Sequence, residues 1–87
     1  MNKPLFHLSI LSLLIGGLAG CADVVTYSYD AQHQGMKLYE QGDYANAAGA
    51  FRNSTRQMPT NYESQYYLGA CYDQLGQYQQ AIAAFKT

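Results

Sequence analysis

The side chains able to do chemistry in this sequence are Cys21 and Cys71, His7 and His33, a scatter of carboxylates and a few serines. Nucleophilic catalysis requires a hydroxyl or thiol beside a base that an acid orients. Ser28, Asp30 and His33 lie close along the chain, but they sit in or beside a segment that reads as a linker, with no pocket to exclude water. A metal centre needs several ligands at suitable spacing. His33 has no second ligand near it and reads as a histidine on a helix surface. The later glycines stand seven apart, at helix ends, and do not form a phosphate-binding loop. Lys37, Arg52, Arg56 and Lys86 are dispersed and the formal net charge is -1, so there is no electrostatic footprint for nucleic acid. The residues read as non-enzymatic, with no metal and no small-molecule cofactor.

The first twenty residues do not read as fold. Lys3 and the free amine precede an apolar run, Leu5–Ile15, and a small, flexible Gly16–Gly20. This is the order of a secretory signal. The run is shorter than the roughly 20 residues of a spanning helix. Gly16 and Gly20 match a helix-pairing spacing, but within a segment expected to be removed. The signal ends Leu18-Ala19-Gly20-Cys21, which resembles the lipobox of bacterial lipoproteins. The resemblance implies cleavage between Gly20 and Cys21, diacylglycerol on the Cys21 thiol and an acyl chain on the new amine. Two or three chains hold a protein on a bilayer far longer than one. If Cys21 carries lipid, Cys71 has no partner in the chain for a disulfide and reads as a small buried residue. Ala22 follows the cysteine, and Asp23 comes one later. By the best-known sorting rule of lipoproteins, the chain would pass to the outer membrane and face the periplasm, where the cell has one.

The elements that follow are helical. Residues 21–30 read as an extended tether of about 30 Å at most. The loose alternation of Val24, Val25, Tyr27 and Tyr29 has no second strand to pair with. A first helix is expected over 31–41, stopped by Gly42, with Asp43 capping the next. The second runs from about Tyr44 to Gln57, with Tyr44, Ala47, Ala48 and Phe51 on one face and Pro59 beyond its end. Gly49, inside it, reads as a point of close helix approach or as plain tolerance. Asn61 can cap a third helix, about Tyr62 to Leu75, that Gly76 stops, and a fourth begins near Tyr78.

Residues 35–53 and 69–87 repeat each other at an offset of 34. Gly35, Gly42, Tyr44, Ala47, Ala50 and Phe51 recur as Gly69, Gly76, Tyr78, Ala81, Ala84 and Phe85. The period is that of a helix–turn–helix unit stacked in a solenoid. The pattern Gly-x6-Gly-x-Tyr-x2-Ala-x3-Phe, followed once by Pro59, resembles the tetratricopeptide repeat. By that resemblance the chain is all-α, with about 1.75 repeats visible in a domain spanning 31–87 after the signal (1–20) and tether (21–30). Each repeat has an A helix and a B helix. Gly35 and Gly69 lie where these come closest, Gly42 and Gly76 end the A helices, and Ala47 and Ala81 pack in the crossing. Tyr44 and Tyr78 open the B helices, Phe51 and Phe85 fill the core between repeats, and Pro59 closes the first B helix. The family usually has large apolar residues where repeat one has Ala31 and Gln34, so the first A helix is expected to pack weakly.

Arrays of this family bind peptides and partner proteins on the concave face lined by A helices. Carried over by position, that face holds Tyr29, Gln32, Met36, Tyr39 and Glu40 from repeat one, and Glu63, Tyr66, Ala70, Asp73 and Gln74 from repeat two. It is aromatic and mildly acidic, and it lacks the basic and amide residues with which some members grip a C-terminal carboxylate. Tyr39 and Tyr66 are equally open to packing against further helices that this sequence does not contain. The expected function is a lipid-anchored scaffold of the cell envelope that binds a protein or peptide and assists assembly of an envelope complex such as a pilus or secretion system. The alternative is the N-terminal docking part of a longer envelope enzyme, for instance one acting on peptidoglycan. The second repeat breaks off inside its own B helix, which reads as a partial sequence; a small complete protein docking its open helix face on a partner is the other possibility.

Overall fold

The computed structural model describes residues 23–87. The signal segment, its cleavage before Cys21 and the lipidation of Cys21 lie outside the described residues. Four helices follow one another: α1 over 23–40, α2 Tyr44–Gln57, α3 Tyr62–Gln74 and α4 Tyr78–Lys86. They form two antiparallel hairpins, α1/α2 and α3/α4, with α3 packed on α2 and α4 on α3.

The hairpin turns are built alike. Gly42 and Gly76 adopt φ values of 77° and 74°, where a Cβ would be strained. At the first, the Gly42 N–H donates to the Tyr39 carbonyl at 3.0 Å and the Asp43 N–H to the Leu38 carbonyl at 2.9 Å. At the second, the Gly76 N–H donates to Asp73 at 3.0 Å and the Gln77 N–H to Tyr72 at 2.8 Å. Both are Schellman closures, which satisfy the last carbonyls of α1 and α3. The helix starts differ. Asp43 accepts from the Asn46 N–H and Asn61 from the Ser64 N–H, whereas Gln77 makes no side-chain cap. Between the hairpins, Met58 is extended at φ -139°, as a residue before proline must be, and α2 ends there.

The core lies where α2 and α3 meet. Ala47, Phe51 and Cys71 are fully buried, and Ala48, Leu68, Tyr72, Ala81 and Ala84 nearly so. Small residues in the crossings let the helices approach. A Cβ on Gly35 would stand 2.7 Å from Cε1 of Phe51, and one on Gly69 would stand 2.5 Å from Cε1 of Phe85. Each A-helix glycine is therefore a shelf for the phenylalanine of its own B helix. Gly49 has no such role: an added Cβ would meet only the Arg52 guanidinium, at 3.8 Å. The close approach expected there does not occur.

The tether expected over 21–30 is not found in its described part. The chain is already helical at Asp23, and the first A helix is longer than the 31–41 read from sequence. Nothing in residues 23–30 breaks a helix, and Ser28, within that stretch, is fully buried against Ser54 of α2 and Asn61 at the start of α3. The apolar anchors missing at Ala31 and Gln34 are replaced by a polar one, described below.

Candidate functional site

The feature that links the helices is a run of aromatic rings. Tyr39 of α1 meets Tyr44 of α2 edge-on at 5.3 Å and Tyr67 of α3 edge-on at 5.4 Å. Tyr67 stacks on Phe51 at 5.6 Å with the planes 17° apart, and meets Tyr66 edge-on at 5.3 Å. Tyr66 in turn leans on Phe85 of α4 at 5.8 Å. Ring pairs of these kinds add stability beyond the area they bury. The run is half-buried at Tyr39, Tyr44 and Tyr67 and opens to solvent at Tyr66, which is 60% exposed.

The helical period sorts the face expected to bind partners. On α1, Tyr29, Met36 and Glu40 form one stripe beside the buried side marked by Ser28 and Gly35. On α3, Glu63, Tyr66, Ala70 and Asp73 form the matching stripe, opposite Leu68 and Cys71. The rings of Tyr39, Tyr67 and Tyr66 join the two, so the stripes are neighbours on one surface. Tyr29, Glu40, Glu63, Tyr66, Asp73 and Gln74 are exposed there, and Met36 is half-buried against the core. Tyr39 is a packing residue, fixed between Tyr44 and Tyr67. Burial, with smaller contributions from neighbouring tyrosines and Cys71, pushes its phenol above the ordinary range and keeps it neutral.

Gln32 is also not free to bind. Its Oε1 accepts from Asn61 Nδ2 at 2.8 Å. That contact edges a buried polar junction. Ser54 Oγ donates to the Ser28 carbonyl at 2.7 Å, and Ser28 Oγ donates to the Ser54 carbonyl at 3.0 Å. Ser54 Oγ and Ser64 Oγ lie 2.7 Å apart, while Asn61 Nδ2 reaches Ser28 Oγ and Ser54 Oγ, each at 3.1 Å. Ser28, Ser54 and Ser64 are fully buried, and no buried side-chain polar atom among the described residues lacks a partner. This junction ties α1 to α2 and α3 and positions the α1 stripe beside that of α3. Sequence reading missed it, because serines at 28, 54 and 64 look like surface residues; only their recurrence on inward helical positions could have signalled it.

The remaining chemistry is quiet. Cys71 is a free, buried thiol, and burial pushes its pKa up to about 11, so it stays protonated and unreactive near neutrality. His33 is exposed on α1. No group of three or more His, Cys, Asp or Glu among the described residues could hold a metal. No described helix is long and apolar enough to cross a membrane. The clefts are shallow. One of about 360 Å³ lies between α1 and α2, lined by Tyr27, Asp30, Ala31, Gln34, Asn53 and Gln57. A smaller one, about 150 Å³, is lined by Tyr62, Gln65, Tyr66, Ala84, Phe85 and Thr87. Neither brings a nucleophile together with a base.

Comparison with known proteins agrees with this geometry. A family model described as tetratricopeptide repeat matches residues 38–87, from the end of α1 to Thr87. No curated protein and no solved structure matches the chain.

Proposed function

The chain belongs to the tetratricopeptide repeat family, a family of interaction modules, and from that premise we propose that it is a scaffold whose A-helix face binds a protein or peptide at the cell envelope. The observation that carries the binding reading is the exposure of Tyr66 and Tyr29, at 60% and 54%, on two stripes that the buried serine junction holds side by side. Rings with a large apolar surface and one polar tip suit recognition. A tyrosine-to-alanine change at Tyr66 lowers partner affinity and leaves the helix content unchanged. Retention of full affinity in Tyr66→Ala and in Tyr29→Ala defeats the reading.

The envelope part of the proposal rests on Leu18-Ala19-Gly20-Cys21. Diacylglycerol on Cys21 would anchor the chain, and Ala22 in place of an aspartate after the cysteine favours the outer membrane. With α1 helical from Asp23, a lipid at Cys21 would hold the repeats at the bilayer surface without an intervening linker. There the bound partner would be a component of an envelope complex under assembly. Metabolic palmitate labelling tests the anchor: incorporation is expected in the parent chain and not in Cys21→Ala. Labelling that persists in Cys21→Ala rules it out.

A further inference from the structure

The charge on the A-helix face identifies the kind of segment it takes. Glu40 on α1 and Glu63 and Asp73 on α3 are exposed on the stripes that carry Tyr29 and Tyr66. The cations among the described residues lie elsewhere. Arg52 turns to Tyr72, donating to its Oη at 3.3 Å. Lys37 is a quarter-turn past Met36 on the side of α1 away from the core, Arg56 belongs to α2 and Lys86 ends α4. The face thus presents tyrosine rings rimmed by carboxylates of one sign.

We propose that this face selects a peptide segment in which arginine or lysine side chains alternate with apolar ones. The inference rests on the A-helix face being the binding surface. Two effects act together. A ring face attracts a cation laid over it, and a nearby carboxylate adds to that attraction. The same carboxylates repel acidic segments, so charge sets which sequences bind as well as how fast they arrive. The apolar part of the segment covers the exposed ring of Tyr66 and the flank of Met36, which the described residues cover only partly. An acidic tail, which basic A-helix residues grip in other arrays of this kind, meets like charge here.

Selection of a random dodecapeptide display library on the intact, immobilised chain tests this. Arginine and lysine are expected to be enriched several-fold in the selected sequences, and aspartate and glutamate depleted. A selected peptide is then titrated against the parent and against Glu40→Gln, Glu63→Gln and Asp73→Asn. Each exposed carboxylate removed lowers affinity by about two- to fivefold, and added salt narrows the difference. Circular dichroism of the three variants keeps a folding defect from passing as a binding one. Selection of peptides without basic enrichment, lost in Tyr66→Ala, overturns the charge preference and leaves the binding face standing. Selection of no peptide, or of peptides insensitive to Tyr66→Ala, overturns both.

Discussion

Phe51 and Phe85 occupy the same place in successive hairpins and meet opposite surroundings. Each ring lies on the glycine shelf of its own A helix, Gly35 or Gly69. Phe51 is then sealed by Tyr67 from the following hairpin and is fully buried, whereas Phe85 meets the ring of Tyr66 from its own hairpin and remains 51% exposed. The same contrast holds at Ala48, 2% exposed, and its counterpart Ile82, 53%, while Ala47 and Ala81, in the crossings within each hairpin, are buried alike. Each hairpin therefore makes its own shape, through glycine shelf and Schellman turn, but its burial comes from the next element in the stack. Shape is local in a solenoid and stability is shared between neighbours.

The contrast can be broken most forcefully at the rings. Phe51→Ala should cost about 3–5 kcal/mol, since a sealed ring leaves a cavity. Phe85→Ala should cost about 1 kcal/mol, because half of its surface is already in water. The glycine shelves give the same contrast from the other side. Gly35→Ala forces a sealed ring to move and should cost about 1–3 kcal/mol, while Gly69→Ala lets Phe85 swing outward and should cost clearly less. Urea melts of the four variants measure both pairs, and equal effects within a pair would erase the distinction between hairpins.

A step smaller is the polar junction, which joins the first hairpin to the start of α3. Ser54→Ala takes from the buried Ser64 hydroxyl its partner and from the Ser28 carbonyl a donor, and should cost about 1–3 kcal/mol, the penalty of a stranded buried hydroxyl. Hydrogen exchange should show α1 opening first, because this junction, Gly35 and Tyr39 are its ties to the rest.

The helix starts offer a way to even the two hairpins out. Asp43→Ala removes the cap of α2 and should cost about 1 kcal/mol, and Gln77→Asp, supplying α4 with the cap it lacks, should return a similar amount. Gly49→Ala, in open space inside α2, should stabilise by about 0.5–1 kcal/mol. Thermal melts report all three, and a loss of stability in Gly49→Ala would show that the glycine is needed for packing after all.

The smallest effect is one of pH. Cys71 ionises near 9 when exposed and near 11 when buried, so the unfolded chain loses this proton first as pH rises. Stability should be unaffected by this group below about pH 9 and should fall as pH rises from there toward about 11. Tyr39, raised in the same sense, extends the fall upward. Cys71→Ala should flatten the part of the curve that begins near pH 9; an unchanged curve would show that the thiol is not desolvated.

What could be read in the sequence follows the same division between local and shared. The bounds of α2, α3 and α4 were legible because their signals sit beside them: Gly42 and Asp43, Pro59 and Asn61, Gly76 and Tyr78. The 34-residue offset picked out each glycine shelf and the phenylalanine that rests on it, but Phe85, expected in the core between repeats, is 51% exposed. The start of α1 was not legible, since Ser28 is held by Ser54 and Asn61, which lie 26 and 33 residues away. The same distance hid the true role of Gln32, which serves the junction, and of Tyr67, which seals Phe51. Of the expected binding face, Tyr29, Glu40, Glu63, Tyr66, Asp73 and Gln74 are exposed on the A helices, while Tyr39 is a packing residue. A repeat pattern fixes which positions are scaffold, and it leaves open which of the rest the neighbouring helices will claim.

On the proposed function, partners bind the A-helix face and not the outer side of the hairpins. A photo-crosslinking residue placed at Tyr66 and, separately, at Lys37 on the outward side of α1 tests it in cells. A discrete adduct is expected from position 66 and none from position 37. Equal adducts from both, or an adduct from position 37 alone, would contradict it.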